Sequence, residues 1–410
     1  MTENPISTTP FCDELLKGIA IIIDDQIADP SSEIFKLTTE IENRHIPCVK
    51  YNTLPEVDSI PHLSEVSFII LDWDLTSIEG VSSSEFAISD NIEYLKCLIE
   101  SCFVPIFIFT NKNQESVKQE ISDNSGSDLV DNKMIYIRSK SELLSGKLFD
   151  EIEKWIKDNP SAYVIKKWSC EYQKTKNALF IDLYEQSPHW PRIFCQRFSE
   201  DKINESHELR EMLTKNILCR WTPFLFDKDI ILASSTEGDI NQSTLLSVWE
   251  GAYYIKNQRL DPNSTSSGDI FKITTDDTPI YYLNIRPECD CVSRGTTESC
   301  PKLPLYLIEG IALTSRDKIH VHISKKKNGS NCEIKDDISN YLCCGICDGE
   351  VIKFSFKKFS IQDWNEIREH RIGRLVPPFI TAIQQKFSAY LQRQGLPPIP
   401  NEILEYFYTK

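Results

Sequence analysis

The chain has 410 residues, 40% of them hydrophobic and 26% charged, with a mean hydropathy of -0.31 and a formal net charge of -16. That length exceeds one ordinary core and calls for several domains, and no apolar run reaches the ~18 residues that span a bilayer. The acidic balance argues against nonspecific coating of nucleic acid, which needs a broad surplus of Lys and Arg, and leaves nucleic acid an unexpected partner.

The opening MTENPISTTPF carries neither a basic nor an apolar signal segment, so a cytoplasmic location is expected. Fourteen cysteines scattered over so long a chain are expected to be thiols rather than a disulfide framework.

Over residues 11–157, short apolar runs alternate with helix-period segments. The runs are Gly18–Ile23, a weaker Ile46–Tyr51, Val66–Leu71, Val104–Phe109 and Lys133–Ile137. Strands apolar on both faces belong inside a parallel sheet covered by helices. Between them, Pro30-Ser31-Ser32-Glu33 starts a helix with Ile34, Leu37 and Ile41 on one face. Ile92, Leu95 and Ile99 mark a second helix, and Leu144, Leu148, Ile152 and Trp155 a third. The expected fold is α/β: a doubly wound, five-stranded parallel sheet of the flavodoxin-like kind.

Asp158-Asn159-Pro160 reads as a break. Residues 158–258 keep a helix period and form a helical middle segment. In 259–360, turn residues separate short alternating runs: Asp269–Ile273, Ile280–Ile285, Leu305–Ile308, Ile319–Ile323 and Val351–Phe356. These give a small antiparallel β domain, expected to close as a barrel. Residues 361–410 form a C-terminal helical segment. In it Phe379, Ile380, Ile383, Phe387, Tyr390 and Leu391 make an apolar face, with Arg371 and Arg374 among the basic residues around it.

Ligands of an open parallel sheet gather at the carboxyl ends of its strands. There the first strand ends in Asp24-Asp25, the third in Asp72-Trp73-Asp74 and the fourth in Thr110, and Lys140 follows the fifth. Clustered carboxylates beside an ammonium and a hydroxyl suit phosphoryl transfer to a carboxylate, with a hard cation such as Mg²⁺ relieving the repulsion.

This set resembles the receiver domain of response regulators, in a divergent form. The resemblance implies Asp72 of LDWDL as phosphoacceptor and Thr110 of FIFTN as the switch hydroxyl. Lys140 of IRSKSEL takes the lysine position, and Asp24, Asp25, Asp72 and Asp74 surround Mg²⁺, Asp74 through its backbone carbonyl. It also implies a histidine kinase or a histidine-kinase-like or Hsp90-like ATPase as partner, and no enzymatic activity beyond self-phosphorylation. A divergent receiver joined to an unfamiliar output is similar to those found in bacterial antiphage defence. The chain departs from the family at Ser141, where proline is usual, at Asn111, and at Ile137, where an aromatic residue is common.

Two other readings compete. One is a scaffold that keeps these residues without being phosphorylated. In the other, Asp72-Trp73-Asp74-Leu75-Thr76 resembles the DxDxT signature of haloacid-dehalogenase-like phosphatases, with Asp74 as general acid/base; that reading leaves Asp24-Asp25 without a role.

Further along, Cys291, Cys300, Cys344 and Cys347 offer a zinc set, though buried thiols are the expected state. His320 and His322 are expected on one strand face as solvated imidazoles. Lys325-Lys326-Lys327-Asn328-Gly329 reads as a solvated hairpin tip. The output region is expected to work by engaging another protein.

Overall fold

The computed structural model describes residues 11–63, 65–75, 84–125, 127–144, 146–200, 205–233, 241–291, 302–325, 332–335, 337–393 and 399–408. It is a mixed α/β protein that divides into two compact units, one made of residues 1–188 and 213–236, the other of 189–212 and 237–410. No described helix is long and apolar enough to cross a membrane.

The first unit is built on β1 (Ile19–Ile23), β2 (Cys48–Tyr51), β3 (Val66–Asp72), β4 (Ile106–Thr110) and β5 (Ile135–Ser139), all parallel, in the order β2-β1-β3-β4-β5. Alternation sorts their side chains onto two cores. Ala20, Ile22, Phe68, Ile70, Phe107 and Phe109 pack under the helices Glu33–Asn43 and Leu148–Asp158. Ile21, Ile23, Ile69, Leu71, Ile106 and Ile108 pack under Ser84–Ser101 and Gln114–Ser125. β3 runs through the centre with Phe68 to Leu71 at 0% exposure, which is why its sequence shows no alternation. The first of these helices starts where its capping signal lies, since Ser32 Oγ accepts from the Phe35 amide at 3.1 Å.

Asn159 interrupts the helix only briefly. A 27-residue helix, Pro160–Gln186, begins at once with proline in its first turn, a position where the missing amide proton costs nothing. It belongs to the first unit, so this unit reaches some thirty residues past the expected boundary at 157.

The second unit is a seven-stranded antiparallel sheet. Its strands are β6 (Tyr254–Lys256), β7 (Asp269–Thr275), β8 (Thr278–Asn284), β9 (Pro304–Ala312), β12 (Asn340–Ile346), β13 (Glu350–Asp363) and β14 (Arg371–Leu375). A separate hairpin joins β10 (Ile323–Lys325) to β11 (Cys332–Ile334), and the tip expected at Lys326-Gly329 lies outside the described residues. The order is β12-β13-β9-β8-β7-β14-β6, and no ladder joins β12 to β6 among the described residues, so the expected barrel is not closed by hydrogen bonds. Its edges still approach. Tyr254 Oη lies 3.6 Å from Cys347 Sγ, and Lys256 Nζ pairs with Asp348 at 2.9 Å.

The helix Phe379–Gln392 buries Ile380 and Ile383 on this sheet, and Phe387 and Tyr390 stack beside Phe356, so most of the C-terminal apolar face is used internally; Leu391 stays exposed.

Two local expectations are corrected. Ile319–Ile323 is not one strand: Ile319 and His320 end a short helix, Arg316–His320, which Ser315 caps by accepting from the Lys318 amide, Val321 and His322 form a turn, and Ile323 opens β10; His320 and His322 therefore do not share a strand face. Arg371 and Arg374 belong to β14, where both pair with the buried Asp269, at 3.6 and 2.5 Å.

Candidate phosphoacceptor site

β1 and its neighbour β3 end at the carboxyl rim, as does β5 beyond β4, and each delivers charge there. Lys140 Nζ lies 2.7 Å from Asp24 Oδ2 and 2.9 Å from Asp72 Oδ2, bridging the ends of β1 and β3. All three side chains are at most 4% exposed. Asp25 is half-buried beside them, and one carboxylate oxygen from each of Asp24, Asp25 and Asp72 lies within 4.8 Å of the others.

The loops hold these groups by backbone bonds. Asp24 Oδ1 accepts from the Gln26 amide at 2.8 Å, and Asp72 Oδ1 from the Asp74 amide at 3.2 Å. Asn91, buried on the following helix, donates to the Trp73 carbonyl at 3.1 Å and pins the chain just past Asp72.

Burial pushes the Asp72 carboxyl up to about 6; the Lys140 ammonium opposes this and the Asp24 charge adds to it. Burial acts to lower the Lys140 pKa, but the Asp72 and Asp24 charges outweigh it and hold the ammonium above its ordinary value.

Three carboxylates against one ammonium leave two negative charges at the rim. Oxygen donors carrying that residual charge fit one hard divalent cation. Among the described residues this trio is the group with metal-ligand proximity. Of the zinc set, Cys300 lies outside the described residues; Cys291 is buried with Asn284 Nδ2 donating to it at 3.5 Å, and burial raises the Cys344 and Cys347 thiols.

Thr110 and Asp74 sit at the same rim in a different arrangement. Thr110 Oγ1 donates to Asp74 Oδ2 at 3.0 Å and accepts from the Lys112 amide at 2.9 Å. Lys112 Nζ lies 3.1 Å from Asp74 Oδ1 and 3.5 Å from Glu120, whose other contact is Trp73 Nε1, donating at 2.7 Å. The Asp74 carboxylate is thus turned to Thr110 and Lys112 rather than into the acidic trio.

Sequence reasoning missed Lys112 and Glu120. The signal available was weak: a lysine two residues past Thr110, and an acid in the following helix with no spacing that ties the two together. The residues expected to vary the readout separate as well. Ile137 is buried, while Tyr136 faces the other core, where its hydroxyl donates to Glu151 at 2.9 Å.

No family model matches this chain, and no curated protein matches it in sequence. The sheet order and the rim chemistry are therefore what bear on function.

Proposed function

We propose that this chain is a phosphorylation-responsive signalling protein of the receiver type, with Asp72 as phosphoacceptor. The observation that carries this reading is the Lys140 ammonium within 2.9 Å of the Asp72 carboxylate, beside Asp24 and Asp25, all at the carboxyl ends of strands of one parallel sheet.

In the step proposed, an Asp72 oxygen attacks the donor's phosphorus. An acyl-phosphate P–O bond forms, and the bond to the donor's histidine nitrogen or acyl oxygen breaks with its electron pair. A divalent cation held by Asp24, Asp25 and Asp72 supplies charge neutralisation when bound. Lys140 stabilises the negative charge on the transferred oxygens, and its elevated pKa keeps it charged at neutral pH. Thr110 serves as the switch hydroxyl by leaving Asp74 for the new phosphate, which alters the Lys112–Glu120–Trp73 connections. The phosphoryl donor is a partner kinase or a small acyl phosphate, and the second unit engages another protein.

The scaffold reading keeps one observation in its favour: Asp72 is only 3% exposed and Lys140 already spans it to Asp24, so a phosphoryl group must displace the ammonium. The phosphatase reading is weaker, because Asp74, its proton-transfer group, is engaged by Thr110 and Lys112.

Incubation with acetyl phosphate and Mg²⁺ distinguishes the three. The receiver reading expects a hydroxylamine-labile gain of one phosphoryl group, absent in Asp72→Asn and strongly reduced in Lys140→Met. No gain leaves the scaffold. Asp74-dependent turnover of a chromogenic phosphate ester selects the phosphatase.

A further inference from the structure

A cavity of about 830 Å³ opens at the opposite edge of the same sheet, where Gly18, Val66 and Val104 mark the chain entering β1, β3 and β4. The helix Pro160–Gln186 forms its other wall and places Lys166 in it.

Lys166 is 7% exposed. Its Nζ donates to the Ser67 backbone carbonyl, and among the described residues no carboxylate pairs with it; the titratable neighbour acting on it there is the Cys170 thiol. Ser67 is buried as well, and its hydroxyl oxygen has no hydrogen-bond partner. A buried ammonium needs a compensating anion, or it gives up its proton. Burial, partly offset by the Cys170 thiol, brings Lys166 down to about 8.

The charge around the cavity points the same way. Within a chain of net charge -16, its lining holds four lysines against three glutamates, and Glu65 and Glu14 are already engaged, by Lys176 and by Lys167. The wall also holds the apolar residues Leu63, Val66, Phe103 and Val104, with Phe103 60% exposed.

We propose that this cavity binds a small organic anion, an aromatic or otherwise apolar body carrying one acid group, with Lys166 as its counter-ion. The acid group meets the ammonium, and the apolar body lies against Phe103 and its lining neighbours Val104 and Val66. Such a ligand removes the cost of a buried charge and covers exposed aromatic surface in one step. The site does not depend on the phosphoacceptor reading, since the two stand at opposite ends of the sheet and share no residue.

Calorimetric titration of the full chain with 2-naphthoate tests this. Saturable binding of one naphthoate is expected at pH 7, weakened about ten-fold or more by Lys166→Met, and for the neutral 2-naphthamide, because both remove a desolvated charge pair. Affinity should also fall between pH 7 and pH 9 as Lys166 loses its proton. Lys166→Met removes an uncompensated buried charge and should fold at least as well as the parent. Phe103→Ala, at an exposed rim position, supplies a second variant with expected weakening of about three-fold. Absent saturable binding, equal affinity for the amide, or unchanged affinity in a folded Lys166→Met overturns the proposal.

Discussion

At the scale of single residues, the rim is governed by an imbalance of charge. Burial, with the Asp24 charge beside it, outweighs the one ammonium that the two carboxylates share, so Asp72 is protonated more readily folded than unfolded. A folded pKa near 6, above the unfolded 3.8, contributes stability that is fully present below the unfolded value and is lost as pH rises through the folded one. Asp72→Asn should therefore raise the stability of the first unit at pH 7.5, by roughly 1–3 kcal/mol, with the gain vanishing below about pH 4. Thermal unfolding of both proteins across that pH range checks it; a variant less stable at pH 7.5 would contradict the assignment. Asp24, Asp25, Asp72 and Lys140 were legible as a group because each ends or follows an apolar run, and the parallel topology brings such ends together. The Lys112–Asp74–Thr110 connection was not, because it depends on how far a loop side chain reaches, which periodicity does not encode.

Among the elements, legibility followed burial. β1, β3 and β4 read directly, since buried parallel strands are continuous apolar runs. β12 was hidden by its cysteines, Asn340–Ile346 looking like a thiol cluster although Cys343 is a buried core residue. β14 was hidden by its arginines: Arg371 points inward at 5% exposure to meet Asp269, so a buried ion pair mimicked a solvated helix face. The entry to β1 depends on a glycine. Gly18 has φ +118°, and a Cβ there would lie 2.8 Å from the Glu65 carbonyl oxygen, which is backbone and cannot step aside. Gly18→Ala should cost about 1–3 kcal/mol of first-unit stability. Chemical denaturation followed by circular dichroism measures this, and a neutral effect would mean that the β1–β3 entry relaxes freely.

On the scale of the whole molecule, the chain carries separate cores, one on each face of the parallel sheet and another between the antiparallel sheet and its C-terminal helix. The chain gathers into two compact units, and β6 and β14, which lie outside residues 259–360, hydrogen-bond into the same sheet as β7. Composition changes along the chain marked where the texture turned, but strand pairing across a hundred residues is invisible to a local reading. The placement of the thiols in the second unit offers a chemical clock. Cys289 is exposed while Cys291, two residues later, and Cys343 are enclosed. Under a brief maleimide pulse the native chain should be alkylated at Cys289 and spared at the other two. Peptide mapping along a heating series would then date the opening of the antiparallel core, and early alkylation of Cys343 would show that core to be loosely held at ambient temperature.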